Sequence, residues 1–379
     1  MSKQKLETLL VHAGEPRIGG SVTMPIFQSS TFETRERAGY HDIRYARLSN
    51  TPSHDALHQK LAAAEGAEAA LATSSGMSAI STTLLSLLRA GDHLVAQDSL
   101  YGGSHDLVTH DLPALGIEVT RVSGDDQGSW EKALRPRTKV FYCESITNPL
   151  VRVADLEGIV AFARKHALVS VIDNTFATPL AFRPIERGFD LAVHSATKYL
   201  NGHSDLIAGA VMGSRTLVEK VKHKLDHLGG SLDAHACFLL QRGLKTLAVR
   251  FRQQSQAAVE LARFLERHPA VSRVHHPSLE SHRDYARARK LLALPGAMMS
   301  FELKDAGRVP RLFERMTLPI KAPSLGGCET LMTQPAQTSH AGLSPSERQR
   351  VGISDGLLRI SVGLEAAEDL IADFAQALE

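Results

Sequence analysis

Cysteine is scarce in this chain: Cys143, Cys237 and Cys328 are the three among 379 residues, and they form no C-x-x-C pair. That excludes a disulfide framework, and the three are read as reduced, buried thiols. A net charge is lacking as well. Forty-three basic residues against 41 acidic ones leave +2, with the signs interspersed, so no nucleic-acid partner is expected. No stretch approaches the roughly 18 apolar residues of a membrane helix, and the opening Met1–Thr8 has no signal-peptide core. The expectation is a cytoplasmic protein with no membrane partner. Repeats and low-complexity tracts are absent too. What is present, 43% hydrophobic and 22% charged residues, is an ordinary globular composition with enough length for two domains.

From about residue 60 the pattern alternates in type. Helix-like Leu57–Glu65 and Ser78–Arg89 are followed by β-like runs at His93–Gln97, Glu118–Val122, Val140–Glu144, Val169–Asp173, Leu191–His194 and Ile207–Met212, with helical stretches such as Leu156–His166 between. Such alternation predicts a mostly parallel sheet covered on both faces, with ligands at the carboxyl ends of its strands. Beyond Gly213 the pattern becomes long helical segments, Val218–Leu228 and Gln253–His268, then strand-like Met298–Glu302 and Leu358–Val362. The division expected is an arm over 1–55, a large domain over 56–245 and a smaller α+β domain over 246–379. His223 and His227 lack the intervening glutamate of a zinc motif, so no metal site is expected, and His275-His276 before Pro277 reads as loop surface.

Three features carry chemistry. His194-Ser195-Ala196-Thr197-Lys198 ends a β-like run with two hydroxyls and a lysine; desolvation there would lower the amine's pKa toward reactivity. Ser195 and Thr197 would share one side of an extended strand and could hold a phosphate. Asp173 ends a nearly all-apolar strand, where an unpaired carboxylate is expensive and a protonated pyridine nitrogen would be a fitting partner. Ser74-Ser75-Gly76-Met77 precedes an apolar helix, whose first N–H groups could bind a phosphate. A phosphate cup, a carboxylate for a pyridinium and a lysine for a Schiff base are together what pyridoxal 5'-phosphate (PLP) requires.

The chain resembles the Cys/Met-metabolism family of PLP enzymes: cystathionine γ-synthases, cystathionine γ- and β-lyases and methionine γ-lyases. The resemblance rests on Ser75-Gly76-Met77, Tyr101-Gly102-Gly103, Glu144-Ser145 with Asn148-Pro149, Asp173-Asn174-Thr175, Ser195-Ala196-Thr197-Lys198-Tyr199, Ser324-Leu325-Gly326-Gly327 and Leu358-Arg359-Ile360-Ser361. It implies PLP fold type I, the aspartate-aminotransferase-like α/β fold, with a large mostly parallel-sheet domain and a smaller C-terminal α+β domain. It further implies Lys198 as the Schiff-base lysine and proton shuttle, Asp173 on the pyridine nitrogen and Tyr101 stacked on the ring. Gly76, Met77, Ser195 and Thr197 would hold the phosphate, with Asn148 near the ring hydroxyl. Arg359 would bind the substrate carboxylate and Ser324 would orient the lysine. Tyr45 and Arg47 would reach the phosphate of a neighbouring subunit, which implies a homotetramer built as a dimer of dimers.

Substrate choice is where the chain departs from those relatives. Arg44, Asp106 and Pro323 stand where cystathionine-handling members have Glu, Arg and Glu, and Gly103 stands where methionine γ-lyases have Cys. The expected activity is γ-elimination or γ-replacement on a 4-substituted 2-amino acid of sulfur metabolism. One alternative is a γ-lyase for a cationic distal group such as that of canavanine, with Asp106 as its partner and Arg44 able to neutralise it. Two others are an aminotransferase of the same fold and a non-catalytic PLP-holding scaffold.

Overall fold

A computed structural model of the chain describes residues 4–34, 39, 43–339, 341–342 and 344–379. Local chemistry sets the first elements. Thr51 caps a helix α2 over Pro52–Glu65, its hydroxyl accepting from His54 N–H. Pro52 occupies the first turn, where no N–H is needed, and Gly66 closes the helix at φ +69°. Strand β1 (Ala69–Thr73) follows, and then Ser75 caps α3 (Gly76–Leu87) by accepting Ser78 N–H at 3.0 Å.

The large sheet adds β2 (His93–Gln97), β3 (Glu118–Val122), β4 (Thr138–Glu144), β5 (Val169–Asp173), β6 (Leu191–His194) and β7 (Gly209–Gly213). Its order is β1-β7-β6-β5-β4-β2-β3, and β7 alone runs antiparallel to its neighbours. Alternation along the strands shows why both faces are covered. Phe141, Cys143, Ile172 and Ala192 join one core with Leu57, Leu61, Trp130 and Phe162. Tyr142, Val171, Leu191 and Val193 join another with Ala79, Ile80, Leu84 and Leu225. Each such large apolar side chain contributes roughly 1.5–3 kcal/mol on burial. The five parallel-sheet strands β2 to β6 lie where the sequence pattern puts them, to within two residues at either end.

A second sheet orders β10 (Ile320–Lys321), β11 (Leu331–Thr333), β12 (Leu357–Ser361), β9 (Met298–Leu303) and β8 (Val271–His275). One 34-residue helix, Ala234–Arg267, joins the two halves. The boundary expected between 245 and 246 falls inside it. The reason is an uninterrupted buried stripe from Cys237 and Leu240 to Leu261 and Leu265, which packs on α2 of the large half and on β8 and β9 of the small one. Gly243 lies inside that helix, and a Cβ there would sit 2.3 Å from the Asn201 carbonyl oxygen. The glycine admits a neighbouring backbone rather than ending the helix.

The first 55 residues are not wholly an extended arm. Leu6–His12 forms a helix, α1, because Leu6 and Leu10 at i,i+4 face inward against α2 and the long helix. Residues 1–3, 35–38 and 40–42 of the expected arm lie outside the described residues. His275 ends β8, and His276 is buried rather than a loop-surface residue: its ring nitrogens meet Ser278 Oγ and the Gly296 carbonyl, and burial depresses it to about 4. Among the described residues no helix is long and apolar enough to cross a membrane.

Candidate active site

The carboxyl ends of β4, β5 and β6 open into a cavity of about 710 Å³, a size typical of small-ligand sites. It is lined by Ser75, Gly76, Met77, Tyr101, Glu144, Asn148, Asp173, Ser195, Thr197 and Lys198 from the large half, and by Ser324 and Arg359 from the small half. Long-range packing assembles these groups, since Lys198 and Ser324 are 126 positions apart and Asn148 and Arg359 are 211 apart.

Lys198 sits just past β6, half-buried, and its Nζ donates to Ser324 Oγ at 2.6 Å. Burial, helped by the nearby Arg359 charge, lowers its pKa to about 8. Ser324 holds φ at +86°, in the left-handed region, so the hydroxyl is presented at some backbone cost. Arg359, on β12, is 7% exposed; Nη1 donates to Asn148 Oδ1 at 3.1 Å and Nη2 to the Ser324 carbonyl at 3.0 Å. Burial lowers it to about 10, which leaves it a cation at neutral pH. Its Nε is buried with no hydrogen-bond partner among the described residues. An unsatisfied guanidinium donor at the wall of a cavity fits a carboxylate ligand.

Asp173 closes β5, and its Oδ1 accepts Thr175 N–H at 2.9 Å. Burial pushes its pKa up, while the Thr175 bonds and His194 pull the other way. The turn after β6 differs from the extended geometry anticipated for Ser195 and Thr197. β6 ends at His194, and Lys198 N–H bonds back to the Ser195 carbonyl while Asn201 N–H bonds to that of Ala196. The segment coils because these carbonyls have no further ladder partner. Both hydroxyl residues still line the cavity. The start of α3 lies hard against this turn: a Cβ on Gly76 would be 2.7 Å from the Ser195 Cβ. Only glycine lets the helix terminus, with its free N–H groups, come that close to the hydroxyls. The lysine, the buried carboxylate and this cradle together fit PLP.

The remaining sequence candidates lie outside the cavity lining of this single chain. Tyr45 is 38% exposed with the Arg47 guanidinium 5.7 Å from its ring, and Arg47 Nη1 donates to the Asp226 carbonyl at 2.6 Å. Arg44 pairs with Asp55 at 3.2 Å rather than with Asp106, because the first turn of α2 brings Asp55 beside it. Asp106 is an exposed residue at the end of α4 (Gly102–Asp106). Several lining residues were not singled out from sequence, among them Thr175, Phe176, Ile207, Leu325, Thr333, Thr338 and Ser339. No periodicity marks them. Glu144 appeared in a motif without a role.

The family model described as Cys/Met metabolism PLP-dependent enzyme matches residues 7–379. The cystathionine β-lyase of Bacillus subtilis is 41% identical, covering 100% of this chain and 98% of the relative. The L-methionine γ-lyase of Pseudomonas putida is 42% identical, covering 95% of this chain and 93% of the relative. Among solved structures, a putative O-acetylhomoserine (thiol)-lyase from Campylobacter jejuni containing a pyridoxyl-lysine phosphate matches with a TM-score of 0.93 and 32% identity. It covers 99% of this chain and 100% of that one.

Proposed function

The chain belongs to the Cys/Met metabolism PLP-dependent enzyme family, and we propose that it releases an uncharged sulfur substituent from Cγ of an L-2-amino acid. It is a PLP-dependent carbon–heteroatom lyase of sulfur amino-acid metabolism. PLP, when bound, supplies the electron sink that acidifies the Cα–H of an amino-acid substrate. The chain's own residues do the rest. Arg359 binds the substrate carboxylate, using the Nε that has no internal partner. Lys198 Nζ, aimed by Ser324 Oγ, takes the Cα proton and later returns a proton to the substrate. Asp173 would hold the pyridine nitrogen, while Ser195, Thr197 and the start of α3 would hold the phosphate.

One observation carries the substrate class. The Asp, Glu, Lys and Arg side chains among the described residues lining the cavity are Glu144, Asp173, Lys198 and Arg359, which form its floor; its other lining side chains include Ile80, Ile146, Phe176, Ile207, Pro323 and Leu325, with Thr333, Thr338 and Ser339 as neutral polar groups. A charged distal group would be desolvated there without a partner, at a cost of several kcal/mol. An alkylthio or acyl group would not. The cationic-substrate reading is not favoured, since Asp106 stands outside this wall, and the aminotransferase reading is not favoured, since the relatives are lyases. A panel of methionine, homocysteine, cystathionine, O-acetylhomoserine, O-succinylhomoserine, cysteine and canavanine tests this, scored by 2-oxo acid, ammonia and leaving-group release. Neutral γ-substituents should lead; preferred turnover of cystathionine, canavanine or O-succinylhomoserine would refute the reading.

Tyr45 and Arg47 support a site completed by a second subunit within a homotetramer, because both lie away from their own chain's cavity. Mixing Arg47→Ala with Lys198→Ala chains should restore part of the activity in hybrid dimers, where one composite site is intact. No recovery after verified subunit exchange counts against sharing.

A further inference from the structure

Glu144 and Asp173 are registered partners at the tips of the parallel strands β4 and β5, so their side chains leave the sheet on one face, with Cα atoms about 5 Å apart. They are 5% and 8% exposed, and both line the cavity. Two buried carboxyl groups so placed cannot both ionise cheaply, which favours a shared proton. Their surroundings decide which one holds it. Asp173 accepts Thr175 N–H at 2.9 Å and lies in the favourable field of His194 on β6. Glu144 has Asp173 beside it on β5, the Tyr101 amide above it, and Tyr142 and Cys143 preceding it on its own strand, and among the described residues no ion pair joins it to a cation. Burial and Asp173 both push it well above the usual carboxylate range, and the Tyr101 hydrogen bond only partly opposes them.

The aim of this side chain is fixed at both ends. Its backbone N–H donates to Gln97 Oε1 at 2.9 Å, and its Oε1 accepts Tyr101 N–H at 2.6 Å. Tyr101 caps α4 and is 47% exposed, so burial does little to hold it. We propose that Glu144 serves as a neutral carboxylic acid that anchors the Tyr101 backbone over the cofactor site and leaves Asp173 as the single carboxylate on that floor. Glu144 is thus a positioning residue, and the proposal rests on the reading of this cavity as the PLP site.

Glu144→Gln keeps the shape, neutrality and acceptor, whereas Glu144→Leu keeps the bulk and loses the acceptor. In the holoenzyme, Glu144→Gln should retain PLP affinity and kcat/KM within about threefold. Glu144→Leu should weaken both by roughly tenfold, the consequence of one lost buried hydrogen bond. Infrared spectra of the wild type should show a protonated-carboxyl carbonyl band at neutral pH that Glu144→Gln removes. A Glu144→Gln variant as impaired as Glu144→Leu, or no Glu144-dependent carboxylic acid band, overturns the proposal; if Glu144→Leu does not fold, the glutamine variant and the band still decide. Borohydride reduction and peptide mapping of the same holoenzyme separates the two readings. No pyridoxyl label on Lys198 overturns the site itself, whereas a label there with an ionised Glu144 overturns this inference alone.

Discussion

The floor and the far wall of this cavity are built on opposite principles. On the floor, Lys198 donates to Ser324 and Arg359 to Asn148, while Asp173 accepts from Thr175 and Glu144 from Tyr101. Pairing lets four ionisable groups share a buried space without ruinous desolvation. The far wall has Phe176, Ile207, Pro323 and Leu325, which select a substituent by leaving any distal charge unpaired. The floor therefore dictates what reaction occurs, and the wall dictates on what.

Removing the floor's nucleophile should produce the largest effect. Lys198→Ala should cut kcat by about a thousandfold or more, as expected for a lost general acid–base, with steady-state release of 2-oxo acid as the measure. An effect below tenfold would remove Lys198 from the chemistry. Next, Arg359→Lys keeps the charge but not the planar fork, and should lower kcat/KM for every substrate by roughly tenfold to a hundredfold, equivalent to about 1.5–3 kcal/mol for a charge-assisted hydrogen bond. A loss confined to one distal substituent would move Arg359 from floor to wall.

Pro323→Glu tests the wall directly. A carboxylate there should raise the cystathionine-to-methionine ratio of kcat/KM by roughly tenfold, since it pairs with a distal ammonium that the native wall leaves bare. An unchanged ratio would mean that Pro323 does not face the substituent. The smallest effect is a pH dependence. Lys198 lies below its ordinary 10.5, at about 8, because burial disfavours the ammonium. The neutral amine is the form that attacks the cofactor carbonyl, so PLP incorporation into apoprotein should speed up about tenfold from pH 7 to pH 9 and then level off. The same sign holds for stability. Between about 8 and 10.5 the unfolded chain binds more protons at this lysine than the folded one does, so the apoprotein gains stability as pH rises through that window. Stopped-flow absorbance reports the first and thermal unfolding the second; incorporation that slows with rising pH would contradict the assignment.

Much of the large half was legible beforehand. Val169–Asp173 and Leu191–His194 are short apolar runs with a polar residue at the tip, and burial on both sheet faces leaves few other ways to read them. β1 was not legible. Its Ala69-Ala70-Leu71-Ala72 is weakly β-forming by composition and becomes a strand through pairing with β7, which is 136 positions away even at the nearest registered pair, Thr73 with Gly209.

The sequence by itself determined which residues could do chemistry, because a lysine, an aspartate and a serine-glycine step at the ends of apolar runs carry their reason locally. Only the tertiary structure decided which of them meet. Arg44 found Asp55 instead of Asp106, Ser195 to Lys198 coiled instead of extending, and Arg359 crossed from the second sheet to reach Asn148. Contacts between distant positions depend on how whole layers pack, and local spacing does not encode that.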